Sequence, residues 1–401
     1  MELDFVADLG ADETGLTDSD AAFDAINSIE DPLRVTVPGG VYTFSERQIF
    51  DRREDVGFVG AVDDSVRFVS PDGLDQEWLR FECDCLLSDI SLDRLASETS
   101  PSITLASPTK ALLDRVTVEG SDDGSQHTPL FDIRMENPRS NAVFRELRIP
   151  ARSGNIESNP TGRAGIGANS LNRATVTLEG CLIEECSGPG VDLGRSEGEL
   201  RIDGGIFKNN AGAQIRFSQP ASTVRDASVV VDPATAQSAT ESDYEALNGV
   251  VVGDQPTTVD ESGQIVNCDI AVHSGSETLI DAGVYGTVEA RETAITNTDI
   301  TVDVDDVPAV HFTSPSNETV DPAIDYSLTV ENLVCKGAAG SGDAIVVEGR
   351  PDTELRQTCI ETPGIRQPYQ FAPKAAVTAN VNEVTATASC DFFRGFVDDE
   401  N

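Results

Sequence analysis

The chain carries 70 Asp plus Glu against 28 Lys plus Arg over 401 residues, a formal net charge of -42, with 5% aromatic residues. No basic stripe is present, which excludes a nucleic-acid partner, and no apolar stretch reaches membrane-spanning length, which excludes insertion of a helix into a bilayer. The length would allow two or three ordinary domains, but no low-complexity linker separates any.

From the N-terminus, Thr17-Asp18-Ser19-Asp20 reads as a helix start, followed by the apolar run Ala21, Ala22, Phe23, Ala25 and Ile26. A strand with a Pro-Gly-Gly turn comes next, from Val35 to Phe44. A single helix ahead of a strand stack covers the unpaired edge and open core that such a stack would otherwise expose. Residues 1–45 are therefore predicted to form an N-terminal cap.

Beyond the cap a two-part phrase repeats, clearest from Ala174 to Phe217. A strand with small or polar punctuation leads to an apolar anchor (VTLEGCLI, LRIDGGIF); a turn and a second short strand follow (GVDLG, AQIRF). Apolar and polar residues alternate over four to six positions and are broken by Gly or Asn, which is the period of strands and not of helices. So small a unit cannot bury its own apolar face, and copies must stack. The predicted anchors are Ile90, Val116, Leu147, Leu182, Ile206, Val229, Ile270, Ile300, Leu333, Ile360 and Phe392. Their spacing varies from 23 residues (Ile206 to Val229) to 41 (Val229 to Ile270), as in coils of constant core and variable loops. The predicted fold class is all-β: one single-stranded right-handed parallel β-helix of about ten coils over residues 46–401, with an N-terminal capping α-helix. Loop insertions are expected near 150–163, 232–248, 253–263 and 313–322.

The order D-F-x-A-x-x-G-A-x-x-x-G-x-T-D-x-x-A-x-x-x-A-I from Asp4 to Ile26, then V-x-V-P-x-G-x-Y from Val35 to Tyr42, resembles the N-terminal cap of the pectate-lyase-like β-helix superfamily. That superfamily includes pectate lyases, polygalacturonases and the β-helix domains of viral tailspikes. The resemblance specifies a fold and not an activity. It implies enzymes that attack acidic polysaccharides on one side and virion attachment proteins, commonly trimeric, on the other.

The polygalacturonase type carries N-T-D, D-D, G-H-G and R-I-K motifs. Here Asn297-Thr298-Asp299 and Asp122-Asp123 are present, but G-H-G and R-I-K are not. Asn297 to Asp299 also occupies the slot before an anchor that holds Asn267-Cys268-Asp269 elsewhere, so it reads as part of the coil pattern. The lyase type implies a calcium site of clustered Asp with a nearby Arg or Lys base, and no local motif identifies one. No cofactor and no metal site are expected otherwise. The eight cysteines include Cys181, Cys268, Cys359 and Cys390 one or two residues before an anchor; they read as buried free thiols stacking from coil to coil, with disulfides as the alternative. Asn317-Glu318-Thr319 is a sequon, making Asn317 a glycosylation acceptor if the chain is exported.

Alternation along the second strand supplies the candidate site. Ile133 points inward with Asp132 and Arg134 outward; Val191 and Leu193 point inward with Asp192 outward; Ile215 and Phe217 point inward with Arg216 outward. The coil between Asp132 and Asp192 offers glycines at its outward positions. In register, the two carboxylates would lie about 9.6 Å apart over a glycine floor, near the upper limit for inverting glycoside hydrolysis. Asp132 and Asp192 are thus the candidate catalytic pair, and Arg134 and Arg216 the candidate substrate-binding groups. A groove that binds sugar without cleaving it and a plain solvated face are the alternatives.

The opening Met1-Glu2-Leu3-Asp4 enters the cap without a signal peptide. Together with the missing catalytic motifs, this leads to the expectation of a structural and recognition β-helix of a virion (tail fibre, tailspike or capsid decoration) or cell surface, binding host-surface glycans, as a homotrimer. A polysaccharide lyase or glycoside hydrolase is the alternative, and an intracellular scaffold the third class. The dispersed acidity reads as a halophile's surface, whose repulsion molar salt screens to about 3 Å. Dialysis from molar to millimolar salt should therefore lower the melting temperature and erode the strand signal of circular dichroism. An unchanged melting temperature would refute the halophile reading.

Overall fold

Apolar residues at every second position need a partner face, and in the computed structural model that face is the same strand of the neighbouring coil. The structure describes residues 1–51, 54–61, 65–70, 74, 77–94, 101–120, 128–150, 163–219, 221–236, 247–253, 261–315, 326–372, 379–387 and 390. The chain is a right-handed parallel β-helix with one short helix near its N-terminus. It divides into two compact units, the first Met1–Gly190 with Ser196–Gly198, the second Val191–Arg195, Glu199–Ala236 and Thr240–Asn401.

In the first unit the cap is more than a helix. Strand Glu2–Asp4 pairs in parallel with Arg34 to Thr36, so the stack begins at the second residue. Asp12 then shapes the following turn by accepting from the amides of Thr14 (2.9 Å), Leu16 (3.1 Å) and Thr17 (2.8 Å), with Gly15 at φ +69°. Helix Asp20–Asn27 starts at Ser19, but the Ser19 side chain makes no capping bond. Instead Asp20 in the first turn accepts from the Ser45 amide (3.1 Å) and Gln48 Nε2 (2.8 Å), tying the helix to the next coil. The helix buries Ala22, Phe23 and Ile26. The Phe23 ring lies 5.0–5.4 Å from Phe5, Phe44, Phe50 and Phe58. Seven of the chain's 16 phenylalanines fall in its first 81 residues, so the open end is closed by large aromatic area.

The predicted first strand turns out to be two. VTLEGCLI is strand Thr175–Glu179, Gly180 at φ +61°, and strand Leu182–Glu184. The same left-handed position is held in the first unit by Asp89, Arg115 and Glu146, and in the second by Gly204, Asp226, Asn267, Asn297 and Asn332. Each of their amides donates to the carbonyl that ends the next coil's first strand, as in Asp89 to Asp114 (3.0 Å), Asn267 to Thr296 (3.0 Å) and Asn297 to Glu331 (3.0 Å). Side chains add a short ladder, Asn332 Nδ2 donating to Asn297 Oδ1 (2.9 Å). Asn and Asp suit this position because they tolerate positive φ better than other residues with a side chain.

Splitting the strand shifts two anchors. Leu182 is half-buried and Ile206 is 44% exposed; the inward residues are Ile183 and Phe207, in register with Ile149 and Val229. Ile90, Val116, Leu147 and Leu333 are buried, but directly after the left-handed residue and two positions before that register. Phe392 lies outside the described residues.

The third face of each coil is a single strand. In the first unit Phe50, Phe81, Leu105, Ile133 and Ala168 stack inward in register. In the second, Val191, Ile215, Val250, Val284, Val310 and Ile345 do the same. These are the strands read from the sequence as LFDIRM, GVDLG and AQIRF, with Ile133, Val191, Leu193, Ile215 and Phe217 all at 0% exposure. Among the described residues the third face counts 12 strands.

Six cysteines are buried free thiols: Cys83, Cys85, Cys181, Cys186, Cys268 and Cys335. Cys181 and Cys268 follow the left-handed residue and turn Sγ back to the carbonyls of Phe144 (3.3 Å) and Val224 (3.4 Å) one coil earlier. Burial pushes the Cys181 thiol up to about 12, which keeps it protonated and unreactive. Cys359 and Cys390 depart from this pattern by forming a disulfide that ties strand Thr353–Glu361 to the chain 31 residues on.

If Asn297 serves the turn, Asn297→Gly should leave stability within a few tenths of a kcal/mol, while Asn297→Val should cost about 1–2 kcal/mol, because a β-branched residue resists positive φ. Urea midpoints at unchanged slope would measure this. Equal midpoints for both variants would assign the residue some other role.

Candidate functional site

In the first unit the outward column of the third face runs Ile49, Arg80, Thr104, Asp132, Gly167. Asp132 stands at the predicted outward position, yet it is 3% exposed. Arg134 closes on it, Nε donating to Oδ2 at 2.7 Å with Nη2 at 2.5 Å from the same oxygen. Burial pushes the Asp132 carboxyl above the ordinary carboxylate range, against the pull of Arg134. The expected glycine floor is not bare: a Cβ on Gly167 would stand 2.4 Å from Pro129 Cγ, so the proline ring lies where the open space was expected. Gly165 is likewise closed in, its missing Cβ falling 2.8 Å from the Gly190 carbonyl oxygen.

Asp192 and Arg216 belong to the second unit, in direct register on neighbouring strands, with Arg216 Nη1 3.6 Å from Asp192 Oδ2. Asp192 Oδ1 also accepts from the Gly194 amide at 3.2 Å. The structure thus brings each candidate carboxylate to one candidate arginine, Asp132 to Arg134 and Asp192 to Arg216, and each pair is internally neutralised.

The corresponding outward column of the second unit places Asp192, Arg216, Val251, Tyr285, His311, Val346 and Gln370 side by side. Tyr285 and His311 are half-buried neighbours, ring centroids 5.6 Å apart at 65°. His311 Nε2 lies 3.5 Å from Glu348 Oε1. Partial burial raises the Tyr285 phenol, as do the charges of Asp281, Glu348 and Glu289, so it stays protonated and able to donate. Beneath them the frame is locked. Gly286 leaves room for the Phe312 ring, whose Cδ1 would stand 2.1 Å from a Cβ there. Arg350, fully buried, stacks 5.4 Å from the Phe312 centroid and donates to the carbonyls of Thr313 (2.8 Å) and Thr287 (2.7 Å). Neither Tyr285 nor His311 was singled out by the sequence reading. Val284-Tyr285-Gly286-Thr287 and Val310-His311-Phe312-Thr313 share one frame, and aligning those coils would have exposed the pair.

A surface depression of about 310 Å³ lies in the first unit over Gly57, lined by Leu33, Val56, Leu86 and Leu112 together with Arg34 and Lys110. Asp84 there is engaged by the amides of Thr109 and Lys110, both at 2.8 Å. Among the described residues no group of three or more His, Cys, Asp or Glu converges as a metal site, and no helix is long and apolar enough to cross a membrane. Asn317 and the Asp122-Asp123 pair lie outside the described residues.

No family model and no curated protein matches the sequence. Solved structures do. The chain is similar to the A-module of the Azotobacter vinelandii mannuronan C-5 epimerase AlgE4, with a TM-score of 0.55, 15% identity, and coverage of 95% of this chain and 100% of that one. It is also similar to PfbA, a surface adhesin of Streptococcus pneumoniae, with a TM-score of 0.52, 12% identity, and coverage of 96% and 93%. At these identities the likeness establishes the class, a right-handed parallel β-helix, and nothing finer.

The buried Asp132 makes its own prediction. Its folded pKa is raised above the unfolded value of about 3.9, so its contribution is fully present below that pH and is lost as pH rises through the folded value. Asp132→Asn should therefore match or exceed the parent's stability at pH 7 and show less loss of stability between pH 4 and 7. Urea titrations of both proteins across that range would measure it. A variant much weaker at pH 7 would instead show that the ionised pair holds the coil.

Proposed function

We propose that this protein is a glycan-recognition β-helix of a virion or cell surface in a high-salt environment, binding sugars rather than cleaving them. The observation that carries the reading is the outward, half-buried stripe Tyr285, His311, Val346 on a chain with 70 Asp plus Glu against 28 Lys plus Arg. Partly exposed aromatic side chains with polar tips, set on a rigid frame, are the usual make-up of a sugar-sized contact. Proteins of this fold include both a surface adhesin and an epimerase acting on mannuronan, so fold leaves the choice to the site.

One observation favours the enzyme alternative. Asp132 carries a raised pKa beside a cation, as a general acid does. Against it, a carboxyl 3% exposed does not reach a glycosidic oxygen, and Asp192 is held by Arg216. As a recognition protein the chain is expected to assemble as a homotrimer, and Arg134 and Arg216 would contribute donors suited to sugar hydroxyls.

The test is to incubate the protein in molar salt with acidic polysaccharides and with envelope glycans. Retention on the glycan would be measured alongside reducing ends and unsaturated products, and mass by light scattering. Binding without product is the expected result. Turnover that Asp132→Asn or Asp192→Asn abolishes would replace recognition with catalysis, and a monomer would remove the trimer.

A further inference from the structure

We infer that the Tyr285–His311 face of the second unit takes non-acidic glycans, holding amino sugars most tightly and turning uronates away, an inference that rests on the glycan-recognition reading above. Tyr285, His311 and Val346 occupy three successive register positions and are half-buried, so the stripe is about 10 Å long at the strand spacing. A pyranose ring has an apolar C–H face and a hydroxyl rim. Val346 and two half-buried aromatic rings supply the matching apolar surface, and the Tyr285 hydroxyl supplies a polar tip. The surface is pre-organised: Gly286 seats Phe312 beneath it, and Arg350 pins the carbonyls of Thr287 and Thr313 that follow the two strands. Little ordering therefore remains to oppose binding.

Charge sets the class of sugar. Glu348 stands 3.5 Å from His311, and Asp281 and Glu289 join it in acting on the Tyr285 phenol. Asp281 is held in place by Asn248, whose Nδ2 donates to Oδ2 at 3.0 Å and whose Oδ1 accepts the Asp281 amide at 2.8 Å. Arg350 is fully buried with its donors on backbone carbonyls, so its charge is not presented at the face. Arg216, next in register to Val251, is 3.6 Å from Asp192. A uronate carboxylate placed on the stripe would meet three like charges; an ammonium would meet three opposite charges and an aromatic face.

The experiment compares the parent protein with Tyr285→Ala, His311→Ala and the double variant Glu289→Gln/Glu348→Gln, at the lowest salt that keeps the parent folded. The probes are hexamers of glucosamine, glucose and galacturonate, with binding read by calorimetry. The expected order is glucosamine over glucose over galacturonate, with at least tenfold between the ends. Either aromatic variant should lose at least tenfold for the first two probes, and the double variant should lose the preference for glucosamine over glucose. Melting curves check each fold, and the double variant, which changes no ring, decides the charge argument if an aromatic variant unfolds. Galacturonate bound as tightly as glucosamine overturns the inference. So does binding unaffected by both aromatic variants, which leaves glycan recognition standing at some other face. A parent that binds no hexamer and no envelope glycan removes the recognition reading together with this site.

Discussion

The amide of a left-handed turn residue such as Asp89, Asn267 or Asn297 donates to the carbonyl that ends the next coil's first strand, and the stacking of coils rests on that bond. Without it the strand pair would have to break its ladder at every bend, leaving backbone groups unsatisfied against a dry core. With it, the register set at Asp89 and Asp114 in the first unit, or at Asn297 and Glu331 in the second, carries unbroken across the corner. The residue after the bend is then forced inward. That is why Ile90, Val116 and Leu147 are fully buried there, and why Cys181 and Cys268 point Sγ at a carbonyl of the preceding coil. Backbone conformation, side-chain choice and inter-coil pairing are one constraint seen at three levels.

A solenoid held this way has its weak points at its margins, and the chain spends its largest side chains there. The aromatic cluster around Phe23 closes the first coils, while the Cys359–Cys390 disulfide ties strand Thr353–Glu361 to Cys390 beyond the last described strand. Buried arginines serve a related purpose where the path between strands is irregular. Arg163 donates to the Pro101 carbonyl (2.6 Å), and Arg366 to that of Val307 (3.0 Å), in each case bridging about 60 residues of sequence. Exposed ion pairs such as Asp89–Arg115 and Asp203–Arg225 are many, but solvent screening leaves each worth little.

Function, where the chain offers it, lies at outward positions that the coil leaves free. Register places them in columns about 4.8 Å apart, so the chemistry of a face is decided by which residues different coils bring to the same row. In the first unit Asp132 is instead buried against Arg134, two residues on in its own coil. In the second the row sets a tyrosine beside a histidine with carboxylates around them. Like charges one row apart repel and opposite charges pair, as Arg216 and Asp192 do on neighbouring strands.

How much of this was legible depends on the range of the interaction. Period-two alternation, the cap motif from Asp4 to Ile26 and the recurring slot before the anchor that holds Asn267, Asn297 and their equivalents are local signals, and they determined the parallel β-helix, its cap and the inward residues of the third face. The bend inside VTLEGCLI was not legible, because a left-handed Gly180 and a bulge glycine look alike in sequence; the anchors Leu182 and Ile206 were misplaced by one residue for that reason. The outward assignment of Asp132 and Asp192 followed from alternation, but burial does not. Pro129 over Gly167 comes from an adjoining segment that alternation cannot place. Tyr285 and His311 are 26 residues apart in the chain and one strand apart in space. Local chemistry fixes which way a side chain points, whereas its neighbours are set by inter-coil register and by loops of variable length, so the sequence by itself determined the coil and only the tertiary structure decided the face.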